Sequence, residues 1–281
     1  MHNVMLTWQQ GAGLAAGLAA AALALRVTRL PRVRPAAAFL FEACLIAALY
    51  SVWQLAAELS GSGTDAAFRR GAWIERFEHD VHLPSETSVQ HLVLGHSWLV
   101  QTANLYYDIM HFGVIFIFLL WLWIWHRDRY PAVRTTLALS TLACLVIAFV
   151  PVAPPRLLPG YVDTAAAYGQ SVYQGNIADE LSAMPSVHVL WAVIVGWYAY
   201  RIGKGAWRWL APGHAALTVF FVVCTGNHWW LDGIVAVAVL VACAWARVGL
   251  ARGWVAVRAR WVDARTPAAE GTPEPEPALP V

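Results

Sequence analysis

Met184-Pro185-Ser186-Val187-His188-Val189-Leu190-Trp191 and, further along, Thr225-Gly226-Asn227-His228-Trp229-Trp230-Leu231-Asp232 decide how this chain is read. Each stretch lies where an apolar run meets a polar break, and each puts a histidine at that boundary. A segment that only has to span a bilayer has no use for a histidine there, so both stretches call for a functional reading.

The surrounding chain supports a membrane setting. Of its 281 residues, 59% are hydrophobic and 13% are charged, and its mean hydropathy is +0.52. A soluble domain is roughly 45–50% apolar and about 25% charged. The fold expected is therefore all-α: a polytopic transmembrane helical bundle of six to seven spans with an external, interfacial helical loop. A net charge of +2 gives no case for nucleic acid. Cys44, Cys144, Cys224 and Cys243 all lie inside apolar runs without C-x-x-C spacing, which reads as packing rather than a disulfide or metal site.

Seven apolar segments are candidate spans: 4–25, 36–59, 104–126, 134–152, 187–202, 209–226 and 230–250. In the first, the basic cluster follows the apolar run, which reads as a retained helix and not as a cleaved signal peptide. Arg26, Arg29, Arg32 and Arg34 fill the link after the first span. Arg127, Arg129 and Arg134 mark the third link, and Arg201, Lys204 and Arg208 the fifth. Arg252, Arg258, Arg260 and Arg265 follow the last span, whereas residues 153–186 hold one cation, Arg156. The positive-inside rule then puts the N-terminus outside and the tail in the cytoplasm of a multi-pass cell-membrane protein. The polar stretch 60–103 reads as surface helices over Ala66–Val81 and Val89–Val100. Three regions result: 1–35, a first helix and basic loop; 36–250, the membrane catalytic domain; and 251–281, a cytoplasmic tail whose Pro- and Glu-rich end cannot bury enough surface to order itself.

This topology brings Arg156, Ser186, His188, His228 and Asp232 to one outer face. His228 and Asp232 are four residues apart, close enough to meet on a helix beginning near Asn227. A carboxylate orients a histidine, fixes its tautomer and raises its basicity, as a nucleophile requires. Ser186 can cap a helix whose N-terminal amides favour phosphate. His188, one turn in, can protonate a leaving oxygen. Arg156, in a proline-stiffened loop, carries the planar fork that clamps phosphate oxygens. His111 and Asp108, three apart near the outer end of the third span, are a further pair of site candidates, and Asn227 neighbours the nucleophile. His79, His82, His91 and His96 do not share a helical face as a set, so no metal site is expected among them.

At these residues the chain resembles a known family. Pro185-Ser186-Val187-His188 followed by His228-x-x-x-Asp232 is similar to the second and third signatures of the type 2 phosphatidic acid phosphatase superfamily. Ala153-Pro154-Pro155-Arg156-Leu157 and Tyr107-Asp108-Ile109-Met110-His111-Phe112 resemble its inositol phosphorylceramide synthase-like branch. The resemblance covers roughly 36–250. It implies a phosphohistidine at His228, orientation by Asp232, proton transfer by His188 and phosphate binding by Ser186 and Arg156, with no metal or other cofactor. Phe221 and Val222 stand where the superfamily has Ser-Arg, which favours a less charged substrate such as a lipid-linked phosphodiester.

The reading is a membrane phosphatase or phosphotransferase acting on a lipid phosphate or lipid-linked phosphodiester at the extracytoplasmic face. Water as acceptor makes it a hydrolase, and a hydroxyl makes it a headgroup transferase. A non-catalytic binding protein is the rival that Phe221 and Val222 would support. A transporter needs ionisable groups reached from both sides of the membrane, whereas these gather at one face.

Overall fold

The computed structural model describes residues 6–59, 64–170 and 180–263. Ten α-helices and a few single turns make up the regular structure of those residues. They are α1 (Trp8–Val27), α2 (Arg34–Leu59), α3 (Thr64–Asp80), α4 (Glu86–Leu94), α5 (Ser97–Trp125), α6 (Tyr130–Ala148), α7 (Thr164–Ala167), α8 (Val187–Ile202), α9 (Leu210–Cys224) and α10 (Trp230–Asp263).

Five are long and apolar enough to cross a membrane: α1, α2, α5, α6 and α10. The other two expected spans, α8 and α9, have 16 and 15 residues. At 1.5 Å per residue they reach about 24 and 22 Å, less than the ~30 Å of a bilayer core. The two helices that frame the histidines are thus the shortest of the seven expected spans.

Local chemistry sets the boundaries. Thr7 opens α1 with a capping box: its hydroxyl accepts from the Gln10 N–H, and the Gln10 side chain accepts from the Thr7 N–H. Ser186 caps α8 by accepting from the Val189 N–H. The surface helix expected over Ala66–Val81 appears as α3. The one expected over Val89–Val100 does not exist as a unit, because the chain breaks at Gly95–His96 and Ser97 already begins α5. The apolar run from Leu99 onward keeps that helix going without a stop signal. The last span also does not end at 250, since α10 continues to Asp263. The Pro- and Glu-rich end of the tail lies outside the described residues.

The bundle core joins α5, α6, α8 and α10 through Ile115, Phe118, Leu122, Val133, Leu137, Leu190, Ile194 and Ala236. A second cluster caps one end: Ala67 and Ile74 of α3 pack on Val152, Ala153, Leu158, Ala183 and Trp229 from the loops. Gly71 allows the close approach of α3 to this layer, because a Cβ there would come within 2.7 Å of the Ala153 carbonyl oxygen. At the opposite end Glu42 of α2 accepts from the Tyr130 hydroxyl and the Arg134 guanidinium of α6.

Candidate active site

The site is built at the junction of four loop segments. Val152 pairs with Leu181 and Ala183: its N–H donates to the Leu181 carbonyl at 2.7 Å, and its carbonyl accepts from the Ala183 N–H at 3.2 Å. The Ala153 N–H donates to the Ala67 carbonyl, and the Ala153 carbonyl accepts from the Trp229 indole at 3.0 Å. Trp229 is 1% exposed and fills the centre of this layer. Extended loop backbone is thereby satisfied internally, as buried polar groups require.

The loop that carries His228 leaves α9 through a tight C-terminal turn. Gly226 adopts φ +71°, a conformation that side-chain-bearing residues rarely take. The N–H groups of Asn227 and His228 both donate to the Val222 carbonyl at 3.1 Å. Asn227 steadies the turn by donating to the Thr225 hydroxyl at 2.8 Å. The Gly226 carbonyl accepts from the Arg156 N–H at 2.8 Å, and a Cβ on Gly226 would lie 3.2 Å from the Arg156 Cβ. Arg156 is therefore held against the loop that carries His228.

His228 and Asp232 meet, but not as neighbours on one helical face. α10 starts at Trp230, so His228 precedes it and Asp232 lies in its first turn. Asp232 Oδ2 accepts from the Trp229 N–H at 2.9 Å, closing the helix start, and lies 3.3 Å from His228 Nδ1. The Ala183 carbonyl is nearer, at 2.8 Å from Nδ1. Both neighbours of Nδ1 are acceptors, so Nδ1 carries the proton and Nε2 keeps its lone pair in the neutral ring. His228 is 4% exposed and Asp232 is 0% exposed.

His228 Nε2 faces His188 Nδ1 at 3.4 Å. The Ser186 N–H donates to the Asp232 carbonyl at 3.2 Å, which ties the start of α8 to the start of α10. Tyr107 stacks on the His188 ring with centroids 4.1 Å apart, and His111 packs beside it at 4.2 Å. His188 Nε2 is buried and has no hydrogen-bond partner among the described residues. His111 is held by the Tyr107 carbonyl at 2.8 Å from its Nδ1.

Arg156 is 7% exposed, and its guanidinium donates to Asp163 Oδ2 at 2.8 Å. Asp163 also caps α7 through the Ala166 N–H. Gln90 clamps the neighbouring loop by bonding both the N–H and the carbonyl of Val162 at 2.9 Å. Phe221 and Val222 are buried in apolar clusters with Val100, Ala103, Tyr107 and Val189. Among the described residues, no group of three or more His, Cys, Asp or Glu is arranged to hold a metal ion.

Several residues that build the site escape sequence reasoning. The Ala183 carbonyl, Asp163 and Trp229 carry no local signal of their roles. Glu78 and Glu86 belong to the polar stretch 60–103, yet both are buried, at 2% and 4% exposure. Glu78 Oε1 accepts from the Leu231 N–H at 2.6 Å. Burial first, and then Glu86, pushes the Glu78 carboxyl up to about 9. Burial likewise raises the Tyr161 phenol, whose hydroxyl donates to Glu75 at 3.0 Å.

A histidine oriented by a buried carboxylate, facing a second histidine beside a capped helix start, is an arrangement suited to phosphoryl transfer. The family model of the PAP2 superfamily matches residues 72–246, more than half of the chain, and the protein belongs to that superfamily. The match is to the superfamily as a whole, not to the inositol phosphorylceramide synthase-like branch. No curated protein and no solved structure matches the chain. Superfamily membership and the five membrane-length helices fit a membrane phosphatase-type enzyme acting on lipid phosphates.

Proposed function

We propose that the protein transfers a phosphoryl group from a lipid phosphate or lipid-linked phosphodiester, without metal, through a phosphohistidine on His228. The observation that carries this reading is the pair of acceptors at His228 Nδ1. Nδ1 is occupied by the Ala183 carbonyl and Asp232, so the free lone pair on Nε2 points toward His188.

In the first step Nε2 of His228 attacks phosphorus, a P–N bond forms, and the P–O bond to the leaving alcohol breaks. Protonated His188 gives its proton to the leaving oxygen. Asp232 stabilises the positive charge that develops on the His228 ring. In the second step water, or an acceptor hydroxyl, gives a proton to His188 and attacks phosphorus, which breaks the P–N bond and restores both histidines. Ser186 and Arg156 hold the phosphoryl oxygens, with the substrate displacing Asp163 from the Arg156 fork.

The headgroup-transferase reading rests on Phe221 and Val222. Both are packed in apolar clusters where the wider superfamily's Ser-Arg would add a cation, so a donor with fewer phosphate charges suits this site. The short α8 and α9 support a site recessed below an extracytoplasmic membrane surface.

Purified protein in detergent with chelator, offered a panel of lipid phosphates, releases phosphate in the wild type and none in His228→Ala. Release by His228→Ala overturns the mechanism. Headgroup transfer to an added lipid hydroxyl, without phosphate release, selects the transferase. For the topology, Gly95 is exposed with nothing near its Cβ position. Gly95→Cys, in a background lacking the four native cysteines, reacts with an impermeant thiol reagent in intact cells; reaction only after lysis reverses the orientation.

A further inference from the structure

The outer helices α3 and α4 carry a buried acid pair that the mechanism above does not use. Glu78 Oε1 accepts from the Leu231 N–H, one residue before Asp232. Glu86 lies close enough to Glu78 to raise its carboxyl. Glu78 Oε2 and Glu86 Oε1 are both buried, and neither receives a donor from any other described group. Burying two neighbouring carboxyl groups both as anions would be very costly. The same hairpin touches α10 again, where the Trp230 indole donates to the Pro84 carbonyl at 2.7 Å.

We propose that the Glu78–Glu86 pair shares one proton and is the positioning element for the His228–Asp232 segment. Glu78 fastens the first turn of α10 through an amide that the helix itself cannot satisfy. The shared proton leaves one negative charge beside Asp232 where two ionised carboxylates would place two. The titratable and charged groups facing the pair are Asp232 from α10, with His228 on its far side, and Tyr161 with its partner Glu75. Apart from the histidine these are acids or a phenol, so ionising the pair places like charges together beside Asp232, even though the Leu231 N–H by itself favours the ionised Glu78. The role in turnover rests on the function proposed above; the shared proton does not.

The sign of the pH effect follows from the direction of the shift. The folded-state value of Glu78 lies above its ordinary 4.5, near 9. Its contribution to stability is complete below the ordinary value, declines as pH rises, and is lost once pH passes about 9. Glu78→Gln keeps an amide oxygen for Leu231 and an N–H for Glu86, and it cannot ionise.

The test measures thermal midpoint and, with lipid phosphate, kcat and KM from pH 5 to 10, for wild type, Glu78→Gln and Glu78→Ala in detergent. The wild-type midpoint falls relative to Glu78→Gln as pH rises, then runs parallel to it above about pH 9. Wild-type kcat falls above that pH, while Glu78→Gln holds its neutral-pH rate. Glu78→Ala loses roughly 10- to 100-fold in kcat, as supporting groups around a reactive centre do, with little change in KM. Midpoints that stay parallel across the whole range overturn the shared proton. The expected midpoints in a protein whose wild type turns over neither a lipid phosphate nor a lipid-linked phosphodiester uphold the shared proton and overturn the catalytic reading instead. An active wild type with kcat unchanged in Glu78→Ala overturns the positioning role.

Discussion

The α1–α2 hairpin and the loop layer around His228 are both tightly packed, yet by different means. In the hairpin, small residues bring two helices together, with Gly11 against Ser51 and Tyr50. The polar bonds between its helices sit at one end, where Tyr50 and Gln54 donate to the Leu6 carbonyl and Ser51 to the Trp8 carbonyl. It meets the rest of the bundle through Glu42 with Tyr130 and Arg134, and through the edge of Trp53 on Trp191. The loop layer instead joins α3, α4, the segments around Val152 and Ala183, and the start of α10, nearly all by hydrogen bonds to backbone. The family match begins at residue 72 and leaves α1 and α2 outside it. An apolar hairpin tolerates any residues that pack, whereas the loop layer has to hold particular atoms at particular distances.

Substitutions can break or sharpen this contrast. The largest effect is expected at Asp232. Asp232→Asn keeps the shape but presents Trp229 and His228 with a neutral group, and kcat is expected to fall by about 10²- to 10⁴-fold with the fold retained. Rates on lipid phosphate beside thermal midpoints check this, and an unchanged rate removes the orienting role. Next comes Gly71→Ala, whose new methyl would meet a backbone oxygen at 2.7 Å. It is expected to cost about 1–3 kcal/mol and to lower activity as well, because the displaced Ala153 holds Trp229. A variant with an unchanged midpoint and rate would show that this layer yields as easily as the hairpin. The smallest effect is expected at Gly17 of α1, where nothing lies within 4 Å of a Cβ. Gly17→Ala should stabilise by at most about 1 kcal/mol, from helix propensity alone, and leave kcat untouched.

Much of the helical framework was legible in sequence because long apolar runs bounded by arginines have one physical solution. The spans read at 36–59, 187–202 and 209–226 fall close to α2, α8 and α9. Errors fell where apolar residues cross a boundary, as from Val89 to Val100 and beyond residue 250. The meeting of His228, Asp232 and His188 was also legible, through the spacing of two signatures, although the predicted helical face was wrong. His111 packs against His188, an approach its sequence position did not specify.

The sequence alone determined that the chain is a helical membrane protein and which histidines and carboxylate face one another, since hydropathy and short-range spacing are local properties. Only the tertiary structure decided which nitrogen of His228 is free, that Arg156 is paired with Asp163, and that Glu78 and Glu86 are buried. Those facts depend on backbone carbonyls and on loops far apart in sequence. A carbonyl is the same in every residue, so nothing in the identity of Ala183 could announce the bond it accepts.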